Sequence, residues 1–437
     1  MKTPICDYVN QYAASAPLRL HMPGHKGQGI LGVEGLDITE VSGADSLYET
    51  AGIIRESEEN ASAVFGCPTF YSTEGSSQCI RAMALLAMQH AKGQGRTPRI
   101  AAARNVHKTF LSAAALLDTD VVWLSGKQDS YLSCTLKAEM LEEAFAQQDI
   151  TAVYITSPDY LGNMADVQTL AQVCHAHNAL LLVDNAHGAY LRFLPQSLHP
   201  MDLGADLCCS SAHKTLPVLT GGAYLHTGAD FARGAKEALA LFGSTSPSYL
   251  ILQSLDACNP YLEGYGAALA EYLPKVAALK QRLMAHGYVV FGQEPMKLTL
   301  CPKSYGYLGT ELAGLLEKQG IVCEFADPDH LVFMPTPETG EAGLERLEKA
   351  LLGVAKRPPI LEKAPRFALC EQVCSIRQAM LSLGKVVPVE ASVGCVLAGP
   401  SVGCPPAVPI VVCGQRIDEN ALGAFRYYGI THCTVME

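Results

Sequence analysis

The sequence is short of charge and has no paired-cysteine motif. Only 17% of its 437 residues are charged, and those charges sum to -11. A sparse, acidic charge set excludes nucleic acid and anionic membrane surfaces as principal partners and suits a small cationic substrate. CxxC does not occur, and 16 cysteines in a chain this long fall below the density of a disulfide scaffold. Neither a metal site nor a disulfide framework is therefore expected. The closest cysteines are Cys208 with Cys209 and Cys370 with Cys374. Neighbours on a strand point to opposite faces, and an i,i+4 pair on a helix reads as two buried small hydrophobes. No apolar run reaches about 18 residues, and MKTPICDYVNQYAASAP lacks the apolar core, roughly 7 to 15 residues long, of a secretion signal. A cytoplasmic protein with reduced thiols is the expectation. No internal repeat or low-complexity tract is apparent.

What is present is ample apolar material, 49% of the residues, in a chain long enough for a large domain of ~250 residues and a smaller one. Between residues 98 and 227 short apolar runs alternate with segments of helical period, which predicts a largely parallel sheet covered by helices. The runs are RIAAA (99–103), AVYITS (152–157), ALLLVD (179–184), ADLCCS (205–210) and AYLH (223–226). LKAEMLEEAFAQQ and VQTLAQVCHAHN between them carry apolar residues at helical spacing. A long helical stretch at 260–287 contains Pro274, which predicts a kink or two helices there. Strand and helix signals follow, then the linker KRPPILEKAP (356–365) and a terminal lobe. The expected division is an arm over 1–30, a large domain over 31–265 and a C-terminal domain over 266–437, its terminal lobe starting near 366.

Ligands of such sheets bind beyond the carboxyl ends of the strands, so the residues after each run carry the argument. Asp184 ends an almost wholly apolar strand and is followed by His187; a carboxylate there is costly to bury unless it meets a cation. A protonated pyridine nitrogen is such a cation, and a helix cap is the plainer alternative. SSAHKTL places Ser211, His213 and Lys214 at another strand exit, where a lysine could form a Schiff base or simply face solvent. In YSTEGSSQCIRAMALLAMQ, a glycine with Ser76 and Ser77 opens a strongly helical segment, as a phosphate cradle or as ordinary N-caps. His107 could stack on a flat ring or cap a helix.

HMPGHKG (21–27), LDITEVSGADSLYE (36–49), ARNVHKT (103–109), SPDYLGNMAD (157–166), LLVDNAHGAY (181–190) and SSAHKTL (210–216) together resemble the ordered motifs of the Orn/Lys/Arg decarboxylases. These are fold type I enzymes that use pyridoxal 5'-phosphate (PLP). VPVEASVG and PPAVPIVVCGQRI (387–417) resemble the family's terminal lobe more weakly. The resemblance implies Lys214 as the PLP-bearing lysine and Asp184 as partner of the ring nitrogen. It further implies His107 against the ring, Ser76, Ser77, Ser211 and His213 around the phosphate, and His187 beside the ring site. It also implies a short-form member and a homodimer or larger homo-oligomer, with the HMPGHKG arm at the subunit boundary. Departures are Ala212 and Asp159 where threonine is common, Glu74 for asparagine, Cys395 for arginine and Ala407 for glycine.

The expected reaction is decarboxylation of arginine, lysine or ornithine to the amine, with Lys214 or His213 returning a proton to the alpha carbon. Asp45, Glu324 and Glu390 are the candidates for reading the substrate's distal cation. An aminotransferase of the same fold is the nearest rival, although no arginine is clearly placed for the alpha-carboxylate. A catalytically idle homologue that regulates another decarboxylase is the second.

Overall fold

The computed structural model describes residues 1–125, 131–399, 403–404 and 407–437. Contacts group the chain into two compact units, Met1–Gln94 with Leu180–Leu269, and Gly95–Ala179 with Ala270–Glu437. The central sheet has seven strands: β1 (Thr69–Ser72), β2 (Arg99–Ala103), β3 (Asp120–Leu124), β4 (Ala152–Thr156), β5 (Leu180–Asp184), β6 (Leu207–Ser210) and β7 (Ala223–Thr227). In the first unit the order is β1-β7-β6-β5. There β5 and β6 are parallel, whereas β7 is antiparallel to both β6 and β1. In the second unit β2 lies between β4 and β3 and is parallel to each. The architecture is α/β with a mostly parallel central sheet, as the alternating pattern predicts.

The first unit carries helices α1 (Pro4–Ala14), α2 (Ile53–Phe65) and α3 (Ser76–Gly93); the second carries α4 (Lys108–Leu117), α5 (Ala138–Gln147) and α6 (Val167–Ala176). Asp166 caps α6 by accepting the Thr169 N–H. A long helix, α7, runs unbroken from Tyr249 to His286. The two separate helices that Pro274 could have produced are not formed. Pro274 and Ala270, whose carbonyl loses its helical donor, both lie on the exposed side, where water can hydrate the orphaned oxygen.

The C-terminal part of the second unit has an antiparallel sheet of its own, built from β8 (Val290–Phe291), β9 (Leu298–Leu300), β10 (Phe325–Ala326) and β11 (Leu331–Phe333) in the order β10-β11-β9-β8. Leu298, Leu300 and Leu331 pack with Val276, Leu279 and Leu283 of α7. The terminal lobe has a separate core of Val389, Leu397, Ile417, Leu422, Phe425 and Val435. Cys370 and Cys374 fall in an irregular stretch there, not on one helix. Of the PPAVPIVVCGQRI motif, Pro405 and Pro406 lie outside the described residues. No helix among the described residues is long and apolar enough to cross a membrane.

Candidate active site

The strand β5 is buried from Leu180 onward, and Asp184 at its end is only 2% exposed. The Asp184 Oδ1 accepts the Ala186 N–H at 3.1 Å and the Cys209 thiol at 3.6 Å. Cys209 is the register partner of Asp184 on the neighbouring strand, so the two side chains share one face of the sheet and Cys208 takes the other. The chain then turns through Asn185, Ala186, His187 and Gly188, closed by the Gly188 N–H on the Asn185 carbonyl at 2.9 Å. At Gly188 a Cβ would lie 1.9 Å from the Asn185 Oδ1 and 2.6 Å from the Leu191 Cδ1, so a larger residue would have to displace both side chains.

Strand β6 leads into the single helical turn Ala212–Thr215, with Ser211 at its start. The turn carries Lys214, whose Nζ is 3.0 Å from the Nε2 of His187. The backbone N–H and the ring Nδ1 of His213 both reach the Gly222 carbonyl, at 3.2 and 2.9 Å, so Nδ1 carries the proton. Ser211 donates to the Ser76 hydroxyl at 2.9 Å. Ser76 and Ser77 begin α3, preceded by Gly75 at φ 70°, ψ -178°, a backbone conformation that excludes other residues. The first N–H groups of an 18-residue helix and two serine hydroxyls thus converge where an anion would be favoured. Seven of the expected residues, Ser76, Ser77, Asp184, His187, Ser211, His213 and Lys214, belong to the first unit. A carboxylate, an amine and an anion cradle are the donor set that a phosphorylated pyridine aldehyde requires.

His107 belongs to the second unit and caps α4, its Nδ1 accepting the Thr109 N–H at 3.2 Å. The Lys108 N–H reaches the carbonyl of Ala407 at 2.8 Å, and Ala407 adopts φ 72° where the resemblance expects glycine. Nearby Arg104, which sequence reading did not single out, is buried and donates to the carbonyls of Pro409 and Ile410 at 2.8 and 2.9 Å. Burial lowers its pKa to about 10.

The sequence model of the Orn/Lys/Arg decarboxylase major domain matches residues 3–287. The chain belongs to the Orn/Lys/Arg decarboxylase family. It is 29% identical to an arginine decarboxylase of Halalkalibacterium halodurans, over 97% of this chain and 93% of that protein. It is 27% identical to an arginine decarboxylase of Bacillus subtilis, over 96% and 92%. The fold matches that of the Francisella novicida lysine decarboxylase with a TM-score of 0.82 at 16% identity, covering 100% of this chain and 81% of that one. As a member of this decarboxylase family with a fold type I architecture, the chain is implied to use PLP.

For a family that acts on basic amino acids, the acidic candidates have distinct surroundings. Asp45 is buried, and its two oxygens accept the N–H groups of Ser46, Ala51, Gly52, Ile54 and Arg55 at 2.8–3.3 Å. Glu390 forms a two-point ion pair with Arg426, which holds its carboxyl below the usual range. Glu324 accepts one hydrogen bond, from the Tyr160 hydroxyl at 2.6 Å. Asp159, in the threonine position, accepts the N–H groups of Leu161 and Asn163 at 2.9 and 2.8 Å, and burial raises its pKa. Exposed Glu74 accepts the Ser244 N–H. Asn185, Ser210, His226 and Thr69, which sequence reading also passed over, are all buried. A histidine inside the apolar AYLH run was the available signal, since a buried imidazole needs partners.

Proposed function

We propose that this protein is a PLP-dependent decarboxylase of a basic amino acid, arginine, lysine or ornithine, and works in the cytoplasm as a homodimer. The observation that carries the reading is the pairing of Lys214 with His187 beside Asp184 and the Ser76–Ser211 cradle, all within one unit of a decarboxylase-family fold. When bound, PLP supplies a protonated ring that accepts the electrons released as the carboxylate leaves the alpha carbon.

The protein's own side chains do the rest. Lys214 would hold the cofactor through its Nζ, which lies 3.0 Å from the His187 Nε2. Asp184 would pair with the ring nitrogen and keep it charged. The α3 N-terminus, with Ser76, Ser77, Ser211 and His213, holds the phosphate. His187 orients the Lys214 amine through Nε2, and His107 keeps the stacking role that the family motif implies. Lys214 or His213 returns the proton to the alpha carbon. Glu324 is the proposed reader of the distal cation on chemical grounds, because Asp45 and Glu390 have both oxygens engaged.

Purified protein should absorb near ~420 nm, the band of a lysine-bound cofactor, and Lys214→Ala should abolish it. Carbon dioxide release from arginine, lysine and ornithine is measured beside transamination with 2-oxoglutarate. Release from at least one of the three supports the proposal. A colourless protein that cannot be reconstituted overturns it, as does transamination without carbon dioxide release.

A further inference from the structure

The two turns that carry Asp184 and Lys214 are bridged on both faces of the sheet. On one face the bridge is His187 to Lys214. On the other, Asn185 Nδ2 donates to the Ser210 hydroxyl at 3.1 Å. Ser210 Oγ is also 3.2 Å from the Nε2 of His226 on β7, whose Nδ1 is 3.0 Å from the Thr69 Oγ1 on β1. All four side chains are at most 1% exposed. The polar line crosses β5, β6, β7 and β1 in order.

Its hydrogens can be assigned by following the donors. The Cys67 carbonyl, 3.0 Å from the Thr69 hydroxyl, can only accept; with the Thr69 proton assigned there, Thr69 accepts from His226 and Nδ1 carries hydrogen. Cys67 Sγ, 3.9 Å from both partners, is a weak third contact. Burial keeps the His226 ring neutral, so Nε2 is an acceptor and Ser210 donates to it. The Ser210 lone pair is then available to the Asn185 amide. One direction of donation runs through the whole line, set at Thr69, three strands away from Asp184.

We infer that Thr69, His226, Ser210 and Asn185 form a positioning relay that fixes the spacing of the Asp184 and Lys214 turns, with the His226 tautomer as its polarity. The relay rests on the PLP reading above and adds residues that touch neither cofactor nor substrate. Reversing the tautomer makes Nε2 a donor, so Ser210 must accept from both His226 and Asn185, and its own proton leaves the line. The change therefore reaches Ser210, the hydroxyl that holds the residue next to Asp184.

The test uses the full chain with ¹⁵N-labelled histidine. In the wild type, NMR should report His226 as the Nδ1–H tautomer. Thr69→Val, which keeps the shape and removes the acceptor, should switch it to Nε2–H and weaken PLP binding about tenfold, the usual scale for one orphaned buried polar group. Thr69→Ser should restore both. Ser210→Ala should weaken PLP binding at least as much, and adding Thr69→Val to it should cause no further loss, because the line is already cut. Unchanged PLP affinity in a Thr69→Val protein with a switched tautomer overturns the positioning role alone, as do losses that multiply in the double variant. A wild type that takes up no PLP overturns the cofactor reading, and the positioning role with it.

Discussion

His199 is fully buried, and neither of its ring nitrogens has a partner among the described residues. Its ring packs at 4.8 Å from that of His226 and 5.8 Å from that of Phe65. Burial lowers its pKa from 6.5 to about 4. The folded protein therefore takes up a proton later than the unfolded chain does as pH falls. The stability contributed by the neutral ring is complete above pH 6.5 and is lost progressively down to about 4, at a total of about 3 kcal/mol. His199→Phe should keep the aromatic packing and remove this loss, so its melting temperature should fall less than that of the wild type between pH 7 and 4.5. Thermal denaturation across that range checks it; equal slopes would refute the assignment. Sequence reading passed over this residue and the relay beside it, of which only His226 in the apolar AYLH run gave a local signal, because their surroundings come from strands far apart in the chain. Asp184 and Lys214 were legible for the opposite reason: each stands at the end of an apolar run, and a strand exit can be read locally.

Helix α2 begins after Gly52, with no side-chain cap from that residue. The carboxylate of Asp45 takes over the task from seven residues upstream, accepting N–H groups from Gly52, Ile54 and Arg55 along with two from the preceding loop. An anion at a helix N-terminus is favoured by both the free donors and the dipole. Asp45→Ala should therefore destabilise the protein by about 2 to 4 kcal/mol, more than an ordinary cap because five backbone donors, that of Ile54 buried, lose their acceptor together. Chemical denaturation measures this directly. A normal stability with a raised KM would instead make Asp45 a substrate contact. The helix itself was unnamed in the sequence reading, as were β1 and β3. The β1 strand, Thr69–Ser72, has only four residues, and three of the five in β3 are half-buried and one exposed, so neither presents a clear period. The five apolar runs were recognised because nearly every side chain in them is buried, which leaves a continuous signal.

On the scale of the whole molecule, the residues following α1 present apolar side chains to solvent: Leu18, Leu20, Met22, Ile30 and Leu31 are all at least 63% exposed. The segment is nonetheless anchored. Arg19 lies 5.1 Å above the Tyr12 ring and donates to the carbonyls of Gly35, Glu34 and Asp37, while His25 pairs with Asp37 at 3.1 Å. Polar groups thus turn inward and apolar ones outward, the reverse of a solvated loop, and a patch of this kind marks an association surface. A second copy of the chain is the proposed cover, consistent with the HMPGHKG motif lying in the middle of the segment. Sedimentation should show a dimer for the wild type, and Leu20→Glu with Ile30→Glu should give a monomer of unchanged circular dichroism, since each buried carboxylate in a dimer interface would lack a partner. If the arm also helps to build the active site of the neighbouring subunit, the monomer should lose carbon dioxide release in parallel with the dimer. A wild type that sediments as a monomer at micromolar concentration would leave these side chains without that cover and remove the dimer from the proposed function.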